Sequence, residues 1–298
     1  MNDLKLGVIG LSHGNGHPYS WSAIVNGYDP VAMEDCGFPV IARYLKQQSW
    51  PEARLGGADV THVWTQSAEL SRSIAEATFI PEIAESLEDL VGTVDAVLLA
   101  RDDHEHHLEH AGPFLDAGIP IYIDKPIATS RARLNELRRR ERFPGHIFTC
   151  SALRYAPEMQ LSERQWEQIG KVARVHATTP KDWDRYAVHI IEPITVMLGS
   201  SRPIETVAVD TNTDGGTTVQ IIWDGSIEVR FTATGEPSGP MVIEVIGTGG
   251  SVALSEPDTF NAFKAALHDF ANGVRAGEER TNWAHVDRIV DILEIGVR

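Results

Sequence analysis

The first residues able to do chemistry form a glycine-rich loop behind the hydrophobic run 6–9. The loop reads Gly-Leu-Ser-His-Gly-Asn-Gly over residues 10–16. Between a strand and a helix, such glycines let backbone N–H groups approach a pyrophosphate. The spacing departs from GxGxxG because Ser12 takes the second glycine position, so a phosphate cradle and a tight connection both stay open. As a cradle, the loop binds a cofactor through Gly10, Ser12, His13, Gly14 and Gly16.

A neutral segment stands where a dinucleotide-binding fold usually carries an acid. That acid ends the second strand and holds the ribose hydroxyls, whereas this chain reads Thr65-Gln66-Ser67. Without a carboxylate, nothing at this place repels a 2′-phosphate, so NADP is compatible with the segment and Arg72 is a candidate partner for that phosphate. The choice between NAD and NADP stays open.

The tripeptide Asp124-Lys125-Pro126 ends the fourth strand of the pattern. Ligands of an open α/β sheet bind at that edge. A lysine ammonium there can donate a hydrogen bond to a substrate hydroxyl or carbonyl oxygen. The alternative is an ordinary loop lysine, which the tripeptide alone does not exclude.

A histidine in the second half is placed to exchange a proton. If residues 185–198 form one helix, Arg185, His189 and Glu192 share a face at spacings of i, i+4 and i+7. Imidazole gains and loses a proton near neutral pH, as reversible alcohol oxidation requires. The alternative is a structural histidine that its Arg and Glu neighbours satisfy.

Acids and histidines alternate over residues 102–110, which read Asp-Asp-His-Glu-His-His-Leu-Glu-His. Histidines three or four residues apart on a helix can bind zinc, but Asp102 or Asp103 also suits a helix N-cap. We predict a capped helix and no metal site, with His104 and His107 lining a cofactor cleft.

Two patterns of elements carry these residues. In the first half, strands (60–65, 94–100, 119–124, 146–152) alternate with helices (19–26, 68–78, 104–117, 131–142), which predicts a doubly wound α/β fold with a parallel sheet. From residue 171, strands follow in close succession (171–178, 204–211, 217–223, 227–234, 241–246) before two helices (260–273, 283–295). Hairpin turns between these strands predict a mixed, largely antiparallel sheet.

Residues 28–57 interrupt the first pattern with a connection much longer than a usual loop. We predict a helix over residues 40–48 inside it. The segment is interpreted as a surface excursion, with a lid or a partner-contact element as the alternative.

The composition excludes several classes of partner. The chain has 298 residues, and 26 basic against 42 acidic side chains give a formal net charge of −16. Such a surface repels phosphate backbones and anionic lipid, so we expect no nucleic-acid or membrane partner. Two cysteines fit a reducing compartment, and no segment resembles a membrane helix or a signal peptide. We therefore expect a cytoplasmic protein that meets small molecules.

Short motifs along nearly the whole chain resemble, in the same order, those of the Gfo/Idh/MocA oxidoreductases. They are Gly7-Val-Ile-Gly10, Asp95-Ala-Val-Leu-Leu-Ala100, His107, Ala117-Gly118, Asp124-Lys125-Pro126-Ile-Ala128, Arg154-Tyr155-Ala-Pro157, Ile169-Gly170-Lys-Val172, His189-Ile-Ile-Glu192, Gly247-Thr-Gly249-Gly250 and the spaced Phe260, Phe270, Gly273 and Gly277. The resemblance implies a Rossmann domain over residues 1–126 that binds NAD or NADP. It also implies a C-terminal α/β domain over residues 127–298, of which residues 127–152 return to the first sheet.

By position, the resemblance makes Lys125 the catalytic lysine of the family's Glu-Lys-Pro motif, with Asp124 in place of the glutamate and a peptide bond before proline that is often cis. It makes His189 the general acid and base. It also implies that Asp102, His107 and Asp124 lie against the cofactor.

One departure concerns the aspartate that the family usually carries four residues before this histidine. Here Arg185 stands at that position and Asp184 one residue earlier, which on a helix is a rotation of about 100°. Either Asp184 reaches the site from a non-helical start or the acid–base pair is missing. Alternatively, Arg185, with Lys181 near it in sequence, indicates an anionic group on the substrate.

The resemblance implies an NAD(P)-dependent oxidoreductase that transfers a hydride between nicotinamide and a hydroxyl-bearing carbon of a sugar, sugar acid or cyclitol. Two alternatives share the fold: an NAD-dependent glycosidase and a non-catalytic NADP sensor that regulates a protein partner. The open sheet of the family often mediates assembly, so we expect a homodimer or homotetramer.

Overall fold

The strands and helices that alternate in the first half build a parallel sheet. The structure is a computed structural model, and it describes residues 3–212 and 215–297. The strands of the first sheet are β1 (Leu4–Ile9), β2 (Ala58–Trp64), β3 (Glu82–Ile83), β4 (Ala96–Leu99), β5 (Ile121–Ile123) and β6 (Ile147–Phe148). Within the described residues their order is β3-β2-β1-β4-β5-β6, and neighbouring strands run parallel. The predicted doubly wound parallel sheet is confirmed.

The helices of this half are α1 (His17–Asn26), α2 (Pro30–Glu34), α3 (Pro39–Lys46), α4 (Ala68–Thr78), α5 (His107–Ala117) and α6 (Arg131–Arg138). Helix α1 has a proline in its first turn and ends at Gly27, whose φ of 87° suits a residue without a side chain. Helix α6 is shorter than predicted, and β6 keeps only two residues near the start of its predicted strand. Strand β3 was not predicted, because its two residues are both exposed and carry no hydrophobic alternation.

The order of the strands reverses between β1 and β4. In an open parallel sheet, the crevice outside the carboxyl ends of the strands at such a reversal is where ligands bind. All four residues of β4 and the last four of β1 are buried, as expected for central strands covered on both faces. The segments that follow β1, β2, β4 and β5 therefore emerge at one edge of the sheet.

Residues 28–57 fold back onto the first helix. Asp29 caps α2 by accepting hydrogen bonds from the N–H groups of Val31 and Ala32. Met33 on α2 and Leu45 on α3 have no exposed surface. The excursion therefore contributes its own apolar face to the core of the sheet and its helices.

The second sheet consists of β7 (Val172–Thr179), β8 (Ile204–Thr211), β9 (Thr217–Trp223), β10 (Ile227–Ala233), β11 (Val242–Gly247) and β12 (Gly250–Ser255). In the described part of the chain their order is β12-β11-β7-β10-β9-β8. Strands β7 and β10 are parallel and the other neighbours antiparallel, which confirms a mixed, largely antiparallel sheet. The β9–β10 hairpin turns at Asp224 and Gly225, both with positive φ, as such tight turns require. Strand β12 was not predicted.

The helices of the second half are α7 (Glu163–Ile169), α8 (Trp183–Tyr186), α9 (Val188–Leu198), α10 (Thr259–Ala276) and α11 (Trp283–Val297). The prediction of one helix over residues 185–198 is wrong, because the helix is interrupted at Ala187 between α8 and α9. Asp182 caps α8, and the Trp183 indole N–H donates to the Leu293 carbonyl, so α8 has its own anchor.

The described chain divides into two compact units. The first contains the residues up to Ile127, Asn135–Thr149 and Phe263–Thr281; the second contains Ala128–Leu134, Cys150–Ala262 and Asn282 onward. The predicted boundary assigned residues 263–281 to the C-terminal domain, whereas they lie in the first unit. The reason is aromatic packing: Phe270 stacks near Tyr122 and Phe148, and Phe263 near Trp21, at ring-centroid distances of 5.7 to 6.3 Å.

Across residues 3–212 and 215–297, we find no helix that combines the length and hydropathy needed to cross a membrane.

Candidate active site

Lys125 lies at the ligand-binding edge of the first sheet, directly behind β5. Its ammonium nitrogen is 3.6 Å from Oδ2 of Asp102, and the two side chains are only 6% and 7% exposed. The Ser12 hydroxyl donates to the other Asp102 oxygen at 2.7 Å and accepts the Asp102 N–H at 3.1 Å. A buried ion pair needs such further hydrogen bonds to offset its lost hydration. The segments behind β1, β4 and β5 are thus joined into one charged cluster.

Asp124, the residue in place of the family's glutamate, ties the glycine loop to the sheet. It is 1% exposed, and its Oδ2 accepts hydrogen bonds from Asn15 Nδ2 at 2.9 Å and from His17 Nδ1 at 2.6 Å. Its Oδ1 accepts the N–H of Lys125 at 2.8 Å. The Lys125–Pro126 peptide bond is cis, as the resemblance implies. The geometry makes Asp124 a support for the loop and the lysine, and contact with the cofactor stays a prediction.

Sequence reasoning missed Asn15 and His17. The His17 ring stacks on Trp21 at 5.1 Å and meets the edge of Phe263 at 4.9 Å. The only signal in the sequence was the unusual polar content of the loop, and it did not indicate which carboxylate the two side chains would reach.

The glycines of the loop serve two purposes. A Cβ on Gly10 would lie 2.2 Å from Pro18 Cγ, and one on Gly16 would lie 2.5 Å from Ile41 Cδ1, so these two positions need glycine for packing. Gly14 has a φ of 79°, and a Cβ there would meet no atom within 4 Å. His13 beside it is exposed. The loop is therefore packed at both ends and open at residues 13–14.

The neutral end of β2 holds the start of the glycine loop. The Gln66 amide accepts the Leu11 N–H at 3.1 Å and donates to the Leu11 carbonyl at 2.8 Å. Thr65 bonds the backbone of Ser67 and the Ser71 hydroxyl, which shapes the turn into α4. Arg72 is exposed on α4, and its role as a phosphate partner stays a prediction.

The segment behind β4 contains a second ion pair. Arg101 binds both carboxylate oxygens of Asp103, at 3.0 and 2.5 Å, and donates to Gln66 at 3.2 Å. Burial alone would raise the pKa of Asp103, but the hydrogen bonds and charge of Arg101 outweigh it and lower that pKa. The predicted capping role is wrong, because neither carboxylate caps the turn at residues 104–106 and both are engaged elsewhere.

His107 links two segments of the edge. Its Nε2 is 2.8 Å from the Arg101 carbonyl oxygen, and its Nδ1 is 3.1 Å from that of Ile127. Burial lowers the pKa of His107 despite these two carbonyls. The residue lies in the same unit as Lys125, as predicted, and it holds the segments behind β4 and β5 together. The predicted contact of His104 and His107 with a cofactor stays a prediction.

In the second unit, His189 near the start of α9 is paired with a serine. Nδ1 of His189 lies 2.9 Å from the Ser151 hydroxyl oxygen, and Ser151 has no exposed surface. The Tyr186 ring meets the His189 ring at 5.5 Å, edge to face. The ring nitrogen that a carboxylate would orient in an Asp–His pair is therefore oriented here by a hydroxyl, which sequence reasoning missed.

Glu192, one turn along α9, supports the same serine. Its Oε2 accepts the Ser151 N–H at 2.5 Å, and its Oε1 lies 3.6 Å from Arg154 Nη1. Burial raises the pKa of Glu192 to about 7, although the Arg154 charge and the Ser151 N–H act in the opposite direction. Arg154 also donates to the Tyr155 hydroxyl at 2.6 Å. Glu192 and His189 both lie on α9, and both contact Ser151.

The two residues predicted to replace the missing aspartate, Asp184 and Arg185, both lie on α8. Asp184 is exposed on α8, and Arg185, also on α8, is half-buried. Asp182 uses its carboxylate to accept the Arg185 N–H at 2.9 Å. Because the helix is interrupted at Ala187, Arg185 and His189 do not share one continuous face, and the catalytic roles of Asp184 and Arg185 stay predictions.

The residues at the edge of the first sheet fit a nicotinamide dinucleotide. Helix α1 begins directly behind the glycine loop, so its positive end lies beside the loop. The first N–H of the helix, that of His17, donates to Asn15 Oδ1 of the same loop at 2.8 Å. The lack of a side chain at Gly14 keeps the space beside the loop clear. The Lys125 ammonium supplies a positive charge at the same edge.

Comparison with protein families indicates the same class of cofactor. Residues 39–150 match the model of the Gfo/Idh/MocA family, described as "Oxidoreductase family, NAD-binding Rossmann fold". The matched region begins beyond the glycine loop and includes the ends of β2, β4 and β5. The description confirms the prediction of a nicotinamide dinucleotide cofactor.

A curated relative and several solved structures are similar to this chain. A protein from Amycolatopsis mediterranei (strain S699), named as a UDP-kanosamine synthase oxidoreductase subunit, is 28% identical over 104 residues, which span 35% of this chain and 29% of that protein. An apo scyllo-inositol dehydrogenase from Lactobacillus casei superposes with a TM-score of 0.73 at 13% identity, covering 99% of this chain and 95% of its own.

A myo-inositol dehydrogenase from Lactobacillus casei, in complex with NAD(H) and myo-inositol, has a TM-score of 0.70 at 14% identity, over 99% of this chain and 94% of its own. A UDP-N-acetylglucosamine 3-dehydrogenase from Acidithiobacillus ferrooxidans has a TM-score of 0.66 at 16% identity, covering 100% of this chain and 98% of its own. At these identities the structures establish the shared fold.

Proposed function

We propose that this chain is an NAD-dependent dehydrogenase of a polyhydroxylated small molecule. The match of residues 39–150 to the Gfo/Idh/MocA oxidoreductase model and the fold shared with dehydrogenase structures support the proposal. Its substrate is a sugar, a sugar acid or a cyclitol, oxidised at a carbon that carries a hydroxyl. The observation that carries the proposal is the buried Lys125–Asp102 pair, held by Ser12 of the glycine loop at the ligand-binding edge of the sheet.

The chain's own groups have distinct tasks in this reaction. Nicotinamide, when bound, accepts or returns the hydride. The Lys125 ammonium donates a hydrogen bond to the substrate oxygen and stabilises the negative charge that develops there. His189 takes up or returns the hydroxyl proton at Nε2, because its Nδ1 is engaged by Ser151. The resemblance assigns these two roles.

We further propose that NAD is preferred over NADP. The Arg101 guanidinium donates to Gln66 at the neutral end of β2, and it already pairs with Asp103. A 2′-phosphate would therefore meet a neutralised cation and a carboxylate of lowered pKa. Separate titrations with NAD and NADP, followed by thermal stabilisation, test this choice; stronger stabilisation by NADP would contradict it.

The open sheet of the second unit supports the proposal of a homodimer or homotetramer. In β9 and β10, buried residues alternate with partly exposed ones. On β8, Val207 and Val209 are 53% and 42% exposed. Exposed apolar side chains on an edge strand suit pairing with a second chain. Light scattering coupled to gel filtration tests the assembly, and a monomer at micromolar concentration would contradict it.

The test of the dehydrogenase is substitution of Lys125. Lys125→Met alone leaves Asp102 buried without its cation, which costs about 3–5 kcal/mol, so the test uses the double variant Lys125→Met/Asp102→Asn. We expect NADH formation from a panel of sugars, sugar acids and cyclitols in the native protein and none in the double variant, while calorimetry still detects NAD binding.

Near-normal turnover in the double variant would refute the role of Lys125. Release of a sugar from glycosides without net NADH would instead indicate a glycosidase. Binding of the dinucleotide with no turnover of any panel member would indicate a sensor.

A further inference from the structure

Lys181 has a backbone fixed from two sides. It follows β7 and has a φ of 62°, unusual for a residue with a side chain. Its N–H donates to the Glu236 carbonyl at 2.7 Å, and its own carbonyl accepts the Gly235 N–H at 2.9 Å. The connection between β10 and β11 therefore determines where the Lys181 side chain begins.

The Lys181 side chain reaches the ring that contacts His189. Its ammonium donates to the Tyr186 hydroxyl and lies 4.1 Å from the centroid of the Tyr186 ring, a cation–π contact. That ring meets His189 at 5.5 Å. One aromatic ring thus separates a lysine ammonium from the proposed acid and base.

Among residues 3–212 and 215–297, Lys181 forms no salt bridge, and the polar partner of its ammonium is the neutral Tyr186 hydroxyl. The Glu236 side chain is exposed and contributes only its backbone carbonyl, and the Asp182 carboxylate accepts the Arg185 N–H. Lys181 is half-buried. An ammonium whose polar partner is a neutral hydroxyl keeps its charge and two of its donors available to an anion.

We propose that Lys181 binds an anionic substituent of the substrate, a carboxylate or a phosphate carried by the hydroxylated molecule that His189 acts upon. The inference rests on the proposed function and specifies its substrate class. The tyrosine hydroxyl occupies one of the three donors of the ammonium, and the others suit an oxyanion. In a chain with a net charge of −16, an anionic substrate needs such a local cation to overcome the overall repulsion.

Matched pairs of neutral and anionic ligands test the inference. The NAD-loaded protein is titrated with D-glucose, D-glucuronate and D-glucose 6-phosphate, and with N-acetylglucosamine and its UDP derivative. We expect at least one anionic member to bind roughly ten- to a hundredfold tighter than its neutral partner, the range of a charge-assisted hydrogen bond. Carboxylate and phosphate probes distinguish the two sources of the anion.

Three variants separate the charge from the fold. Lys181→Met keeps the length of the side chain and removes the charge, so we expect the preference for the anion to disappear. Lys181→Arg keeps the charge and should keep most of the preference. Lys171→Met removes an exposed lysine of the same unit and should leave the preference unchanged, and circular dichroism confirms folding of each variant.

Equal affinity for neutral and anionic partners, failure of every anionic probe to bind, or an unchanged preference in Lys181→Met would each overturn the inference. The proposed function has separate readouts in the same preparations. NAD binding with turnover of a neutral polyol would support the dehydrogenase even as the anion site failed, whereas absence of NAD binding would refute the dehydrogenase itself.

Discussion

At the scale of single residues, departures from the family motif coincide with new hydrogen-bond partners. Asp124 replaces a glutamate, and its shorter side chain is satisfied by Asn15, His17 and the N–H of Lys125. The aspartate expected before His189 is absent, and the Ser151 hydroxyl contacts the imidazole instead. Buried polar groups require partners, so each substitution had to be matched elsewhere in the chain.

Ser151 is a positioning residue in this scheme, and Ser151→Ala tests it. We expect Nδ1–H to donate to the serine oxygen, which leaves Nε2 as the unprotonated nitrogen that a base requires. We expect the variant to lower kcat/KM about three- to tenfold, the effect of one hydrogen bond. We also expect the ¹⁵N resonances of His189 to shift toward a mixture of tautomers.

Thr195→Val is the matched control for Ser151→Ala. Thr195 is also fully buried and donates its hydroxyl to the Ile191 carbonyl on α9. The control should alter stability without altering the His189 resonances. A native spectrum with the proton on Nε2, or one that Ser151→Ala leaves unchanged, would contradict the assigned role.

At the scale of elements, the connections behind the strands organise the cofactor edge. Parallel strands bring the ends of β1, β2, β4 and β5 to one edge, but side chains join them: Gln66 holds Leu11, Asp102 holds Ser12, and His107 lies between two carbonyls. A loop pre-organised in this way loses less conformational freedom when a ligand binds.

Gln66→Ala tests the contribution of one such connection. Loss of the two hydrogen bonds to Leu11 should weaken NAD binding about three- to tenfold, because the glycine loop becomes mobile before binding. The free energy of unfolding should change by less than about 1 kcal/mol, since Gln66 is exposed.

Calorimetric titration of NAD measures the effect of Gln66→Ala. Gln168→Ala, which shortens an exposed glutamine of α7 in the other unit, should leave the dissociation constant unaltered. If Gln66→Ala also left the dissociation constant of NAD unaltered, the hydrogen bonds between Gln66 and Leu11 would not contribute to NAD binding.

At the scale of the whole molecule, acidity and burial act together on stability. Burial, followed by the charge of Glu279, raises the pKa of Glu141 in the first unit to about 7, and burial does the same for Glu192 in the second. The pKa of Asp103 is instead lowered below its usual value, so this group affects stability with the opposite sign.

The pH dependence of folding follows from these directions. Glutamates whose pKa is raised in the folded state bind protons that the unfolded chain has released, so stability falls as the pH rises from about 4.5 to about 7. The contribution of Asp103 to the free energy of unfolding is present above the pKa that this group has in the unfolded chain. It is lost only as the pH falls through the lower pKa of the folded state. Burial lowers the pKa of four histidines, His107, His110, His146 and His285, and their contribution to stability rises with pH over the same range. We therefore expect the two glutamates to oppose the rise in the free energy of unfolding that these histidines produce.

Urea denaturation between pH 5 and pH 8 measures how the free energy of unfolding depends on pH. Glu141→Gln removes one of the opposing contributions, so the free energy should rise more, or fall less, with pH than in the native protein. Glu167→Gln, at an exposed glutamate with no resolved shift, should leave the pH dependence as it is. An unchanged pH dependence in Glu141→Gln would contradict the contribution of this glutamate.

The extent of sequence prediction differs among these features. Helix α4 and strands β8 and β9 have the predicted bounds, because apolar periodicity and flanking turn residues are local signals. Strand β12 and the break at Ala187 were missed, since they depend on contacts with residues remote in sequence, such as Leu293 behind Trp183.

The sequence by itself determined the parallel and mixed sheets, the oxidoreductase resemblance and the position of Lys125 behind β5. These follow from short-range patterns and from the order of motifs. Only the tertiary structure decided that Asp124 supports the glycine loop, that Ser151 contacts His189, and that residues 263–281 complete the first unit. The physical reason is that periodicity specifies which face of an element is buried, while the partner of a buried polar group depends on which distant segments meet there.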